Sequence, residues 1–97
     1  MTPEDIETTP DGARLTLQLR LPHGLHARPA ARISKEAQRY RSRIRIISEN
    51  GEADAKSILD VLALAIPQDC LCTVEAHGPD AREAVAAVGT LFTQQDM

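Results

Sequence analysis

Between Arg14 and Leu21 the chain alternates without a break, with Leu15, Leu17, Leu19 and Leu21 apolar and Arg14, Thr16, Gln18 and Arg20 polar. Successive side chains of a strand point to opposite faces, so a period of two buries all four leucines only in a strand with one wet face. A helix would scatter them around its circumference. A sheet with one wet face needs its other face covered, and the residues that follow supply the cover. Pro22 and Gly24 break the strand, after which Ala30, Ile33, Ala37 and Tyr40 recur at spacings of three and four, one apolar stripe of a helix over Ala27–Tyr40. Arg43–Ser48 reads as a second strand, and Asn50-Gly51 is a hairpin turn into a short returning strand over Glu52–Ala55. Ser57 opens a second helix that runs to Ile66 and is closed by Pro67. Leu71–His77 is the last strand. Gly78-Pro79-Asp80 then starts a third helix to about Thr93, with Ala84, Val85, Val88, Leu91 and Phe92 in one stripe. This βαββαβα order predicts an α+β fold: an open-faced β-sandwich whose four-stranded, mainly antiparallel sheet carries three helices on one face.

Ninety-seven residues provide for one hydrophobic core. With no Trp, one Tyr and one Phe that core has to be aliphatic, and the aromatic platforms on which single-stranded nucleic acid stacks are missing. An apolar fraction of 42% and a net charge of -3 place the chain among sequences that fold. Residues 1–12 read as a flexible acidic leader, with Glu4, Asp5, Glu7 and Asp11 punctuated by Pro3 and Pro10, which leaves 13–97 as the domain. No secretory signal and no stretch approaching the roughly 20 residues of a membrane span is visible, so the expectation is a soluble, cytoplasmic monomer without membrane partners. Cys70 and Cys72 project to the same face of a strand and fit reduced thiols; Cys72, in phase with Val74 and Ala76, reads as a small buried hydrophobe. His23-x-x-His26, and Cys70-x-Cys72 with His77, do not make a closed tetrahedral ligand set, so no metal and no cofactor is expected.

The segment that can carry chemistry is Pro22-His23-Gly24-Leu25-His26-Ala27-Arg28-Pro29-Ala30. A strand end runs through a glycine into a helix whose first turn contains proline, where the missing N–H is no loss. His26 falls at the N-cap, beside free N–H groups and the positive end of the helix dipole, which together favour an anion. Arg28 in that first turn is unfavourable on dipole grounds alone, and a bound anion would offset the repulsion. A nucleophilic imidazole, a guanidinium fork and oriented donors are what a transferable phosphoryl group requires, since its transfer needs positioning and charge stabilisation above all. The competing account is an ordinary surface helix start. Arg28, Arg32, Lys35, Arg39, Arg41, Arg43 and Arg45 also make this stretch basic within an acidic protein. A nucleic-acid module is disfavoured by the net charge and the lack of aromatics; a surface that steers acidic partner domains fits better.

Gly24-Leu25-His26-Ala27-Arg28-Pro29-Ala30 resembles the active-site motif of HPr, the histidine-containing phosphocarrier family of the bacterial sugar phosphotransferase system and its nitrogen-related branch. The resemblance continues through Lys56-Ser57-Ile58-Leu59, Ala65-Ile66-Pro67-Gln68, Val74-Glu75-Ala76 and Gly78, covering roughly residues 13–93. It implies the βαββαβα open-faced sandwich and a carrier, not an enzyme, that forms a transient phosphohistidine. His26 would accept the group from a phosphoenolpyruvate-dependent enzyme I, on Nδ1 in this family, and pass it to an enzyme IIA domain. Arg28 would hold the phosphoryl oxygens, assisted by the N–H groups of Ala27 and Arg28. The alternative is a docking module of the same fold that binds partners without relaying phosphate. Asp60, and Asp69 where relatives carry Gly, are departures from the family pattern.

Ser57 has two compatible readings, an N-cap paired with Asp60, which is preferred, and, by resemblance, the regulatory target of an HPr serine kinase/phosphorylase. The second helix carries more apolar residues than one packing stripe consumes. Leu59, Leu62 and Ile66 fit a core stripe, which leaves Ile58 and Val61 as the residues expected to dock enzyme I and enzyme IIA.

Overall fold

The structure is a computed structural model that describes residues 5–93. The elements are β1 (Glu7–Thr9), β2 (Gly12–Gln18), α1 (Ala27–Ala37), β3 (Arg43–Ser48), β4 (Gly51–Asp54), α2 (Ile58–Leu64), β5 (Leu71–His77) and α3 (Ala81–Leu91). The strands form one sheet in the order β1-β2-β5-β3-β4, every neighbouring pair antiparallel. Register places Ala13 opposite Ala76, Leu15 opposite Val74 and Leu17 opposite Cys72, while Ile44 and Ile46 lie beside Ala76 and Val74 on the other flank. All eight side chains are buried on the face that the helices cover. The other face carries Arg14, Thr16, Thr73, Glu75 and Arg45, so the alternation that opens the sequence has one dry and one wet side as required.

The sheet has five strands and not four. Glu7–Thr9, inside the stretch expected to be a flexible leader, pairs with β2 across a two-residue turn at Pro10-Asp11. Ile6 is buried beside it. Pro-Asp-Gly is itself a turn signal, and three residues are too short for alternation to stand out against an acidic background. Residues 1–4 and 94–97 lie outside the described residues.

Helix stripes follow the expected periodicity: Ala30, Ile33 and Ala37 of α1 and Ala84, Val85 and Val88 of α3 are fully buried, as is Phe92 just past the end of α3. Helix lengths are shorter than expected. Beyond Ala37 the turn tightens, with Arg39 N–H donating to Glu36 O and Tyr40 N–H to Ala37 O, and the Lys56 amine donates to Tyr40 O at 2.7 Å. The buried Ser34 hydroxyl donates to Lys56 O at 2.9 Å, which ties α1 to the segment entering α2. α2 stops at Leu64 because Ala65 turns left-handed, at φ 48°.

The α1–β3 connection is fixed to α3 by one carboxylate. Asp80 accepts from the Ser42 hydroxyl at 2.6 Å and from the N–H groups of Arg41 at 2.9 Å and Ser42 at 3.0 Å. These donors, the Ser42 hydroxyl foremost, lower its pKa from 3.8 to about 2. A depressed folded-state value gives a stabilisation that is complete above the ordinary carboxylate range and is lost as pH falls through about 2. Asp80→Ala is therefore expected to lower the thermal midpoint at neutral pH, with the gap to wild type closing as the pH drops from about 4 to about 2. A gap that stays constant in an acid melting series would show that the carboxylate charge is not its source.

Candidate phosphoryl-acceptor site

Past Gln18 the chain leaves the regular ladder but stays pinned. Leu19 N–H donates to Cys70 O at 2.9 Å, Asp69 N–H to Leu19 O at 2.8 Å and Arg20 N–H to Phe92 O at 2.9 Å. Leu19 and Leu21 are consequently as buried as the leucines of β2 itself. The chain then reverses at Leu21-Pro22-His23-Gly24, closed by Gly24 N–H to Leu21 O at 3.0 Å, with His23 at φ 67° and Gly24 at φ 71°. Positive φ at the third position is the requirement of a type II turn, which Gly or Asn meets without strain.

Gly24 is required for space as well as for φ. A Cβ there would sit 2.6 Å from Ile66 O and 3.1 Å from both Gln68 N and Pro67 Cα. Next to it, Leu25 N–H donates to Ile66 O at 2.9 Å, and the Leu25 side chain is buried. The turn that delivers His26 thus rests directly on the exit of α2.

His26 is the N-cap of α1, with extended backbone at φ -100°, and its side chain makes no capping bond. Its carbonyl accepts from Ala30 N–H at 3.0 Å, and its own N–H donates to Gly24 O at 3.2 Å. The ring is exposed, as are Ala27 and Arg28. Helix geometry leaves the first-turn N–H groups without intrahelical acceptors, Pro29 has none to offer, and no acidic residue lies in the first turn. An exposed imidazole therefore sits at the start of α1 beside first-turn N–H groups that helix geometry leaves open, with Arg28 in the same turn and no acidic residue in that turn. The ring of His23 stands edge-on to that of His26, centroids 6.1 Å apart and planes at 75°.

The second helix requires a correction. Val61, expected to dock partners, is fully buried, whereas Leu59, expected in the core, is 75% exposed. Ile58 is exposed as expected, and Leu62 is half-buried. α2 packs on α1 and β4 through Val61 and Leu64, and across its seven residues two apolar stripes were equally rich, so periodicity could not select between them. Ser57 is the N-cap, its hydroxyl accepting from Asp60 N–H at 3.3 Å; the Asp60 carboxylate turns instead to Asp54 N–H, at 3.4 Å.

The basic run divides in two. Arg28, Arg32 and Lys35 form an exposed ridge along α1, continuous with the His26 site, and Arg39 just past its end lies 3.4 Å from Glu36. Arg45 lies on the open sheet face, where it bonds Glu75 and, at 2.6 Å, Glu52. His77 at 3.0 Å and Arg14 at 3.7 Å complete the shell around Glu75, whose carboxyl is held below the usual range by the His77 bond first and Arg45 second. Burial pushes the Cys72 thiol up to about 12, as a buried apolar thiol should be. Among the described residues no three His, Cys, Asp or Glu side chains are grouped to hold a metal ion, and no helix is long and apolar enough to cross a membrane.

Comparison with known proteins agrees with this architecture. Residues 13–94 match the sequence profile described as the PTS HPr component phosphorylation site. The phosphocarrier protein HPr of Buchnera aphidicola is 40% identical over 77 residues, 79% of this chain and 91% of that protein. A multiphosphoryl transfer protein of Vibrio cholerae is 38% identical over 86 residues, which is 82% of this chain and 22% of that longer one. The crystal structure of HPr from Bacillus anthracis superposes with a TM-score of 0.77 at 35% identity, covering 81% of this chain and 94% of that one. A one-faced antiparallel sandwich with three helices is the architecture shared with these phosphocarriers. The chain belongs to the HPr family, the phosphocarriers of the phosphotransferase system.

The Gly24 contact generates a test of the site's construction. Gly24→Ala forces a Cβ into Ile66 O at a left-handed φ, so it should destabilise the fold by about 2 to 4 kcal/mol and displace His26. Denaturant titration would check the first effect and amide chemical shifts of Ala27 and Arg28 the second. Unchanged values for both would mean that the turn does not depend on this contact.

Proposed function

We propose that His26 accepts a phosphoryl group from a phosphoenolpyruvate-dependent enzyme I and passes it to an enzyme IIA domain of a sugar or nitrogen-related phosphotransferase system. The observation that carries this reading is the exposed His26 ring at the N-cap of α1, uncapped itself and flanked by the free N–H groups of Ala27 and Arg28. A ring nitrogen attacks phosphorus, the N–P bond forms as the bond to the donor breaks, and the first-turn donors with Arg28 stabilise the charge that arrives. In the forward transfer the same ring is the leaving group. The chain supplies one half of the reacting site and each partner the other half. Ser57 acts as a helix cap in this reading.

Docking falls to the exposed Leu59 and Ile58 of α2, since α2 leads through Ile66-Pro67-Gln68 straight to the turn that holds His26. The exposed basic ridge of α1 would draw acidic partner surfaces to the same end of the molecule.

Incubation with phosphoenolpyruvate and enzyme I should place an acid-labile phosphate on the wild type and none on His26→Ala, while Arg28→Ala should slow transfer by about 10²-fold. Equal incorporation into His26→Ala would remove His26 from the reaction. Leu59→Ser should weaken transfer by raising the KM for the partner about tenfold, with no loss of thermal stability, because the side chain is 75% exposed. A KM that does not move would take Leu59 out of the docking surface.

A further inference from the structure

The turn before His26 holds a second imidazole at the one position where a type II turn favours Gly or Asn. His23 adopts φ 67°, where a side chain with a Cβ is strained and where Gly or Asn would relieve the turn. It is exposed, so the strain is not offset by burial. Backbone strain of this kind concentrates where a side chain has work to do. What it gains is the placement of its ring beside His26, edge-on, with centroids 6.1 Å apart. At that separation the two rings are too far apart to hydrogen-bond each other. The gap has room for an oxygen atom on one ring that accepts an N–H bond of ~3 Å from the other.

We propose that His23 is a second basic group of the phosphoryl site, contributing an N–H donor, and in its protonated form a positive charge, to an oxygen of the phosphoryl group on His26. This inference rests on His26 being the acceptor. Formation of the N–P bond brings nearly two negative charges beside the His23 ring, which takes up a proton from solvent and becomes an imidazolium. When the phosphoryl group leaves for the next acceptor, that proton returns to solvent. Arg28 supplies a charge that is always present, and His23 one that appears with the phosphoryl group. Of the charged and titratable groups on the neighbouring segments, His26 is the N-cap of α1 and Arg28 lies in its first turn, while Arg20 and Asp69, from the strand exit and the segment entering β5, pair with each other at 3.5 Å. Carrier strength then depends on pH through His23.

The test is the equilibrium of phosphoryl exchange between phosphorylated enzyme I and the chain, measured from about pH 6 to about pH 8 for wild type, His23→Asn and His23→Lys. Asn tolerates the left-handed turn, so His23→Asn should melt no lower than wild type, and a purely structural role would show in the melting temperature alone. On our proposal the phosphorylated fraction of wild type, expressed as a ratio, exceeds that of His23→Asn by ~3-fold or more at the acid end, and the two converge at the alkaline end. His23→Lys keeps the acid-end ratio throughout. If His23→Asn follows wild type at every pH, or if His23→Lys loses as much as His23→Asn, His23 carries no such charge. A wild type that takes up no phosphoryl group at all is a different result, which overturns the assignment of His26 and this inference with it.

Discussion

The pairing of β2 with β5 is the constraint from which the rest of the molecule follows. In this register Ala13, Leu15 and Leu17 face the same side as Ala76, Val74 and Cys72, and a slip of one residue would turn one set into water. Because β5 also pairs with β3, the same register fixes Ile44 and Ile46 on that side. One dry face results, and all three helices have to cover it. Their connections are thereby forced to the ends of the sheet, and the strand exit that feeds α1 becomes an exposed corner. Leu19 and Leu21 carry the alternation beyond the ladder, so that corner is built on buried side chains, and His26 stands on a rigid base.

The corner is made from two distant parts of the sequence. Gly24 closes onto Ile66-Pro67-Gln68, Leu25 bonds Ile66, and the Ser34 hydroxyl fastens α1 to the entry of α2. α1 and α2 are therefore joined at both ends, with the His26 ring at one end and exposed apolar side chains on the flank. Under the proposed function such a union matters, since a partner that gripped α2 would meet His26 in a fixed place.

Most of this could be read from residue order because the relevant patterns are local. Alternation over Arg14–Leu21, the stripe Ala30-Ile33-Ala37 and the Asn50-Gly51 turn each determine their element without help from elsewhere. His26 and Arg28 stand out as candidates because proline and glycine punctuate the helix start around them. What escaped was either short or non-local. β1 has three residues, and its best signal, Pro10-Asp11-Gly12, lies in a stretch whose acidic composition masks it. Val61 and Leu59 exchanged roles because seven residues do not phase a helix when both stripes are apolar, and only packing on β4 and α1 decides between them. The seat of Gly24 on Ile66 could not be read from sequence, since it joins residues 42 positions apart through a backbone carbonyl and leaves no side-chain pattern.

The small β1 has a consequence beyond fold class. An open strand edge invites copies of the same chain to zip together. Without β1 that edge would be the seven-residue length of β2. With it, the outer edge shrinks to three residues bearing Glu7, whose carboxylate lies 3.8 Å from Arg14. The acidic segment that carries β1 thus trims the longest open border of the sheet to a short charged one.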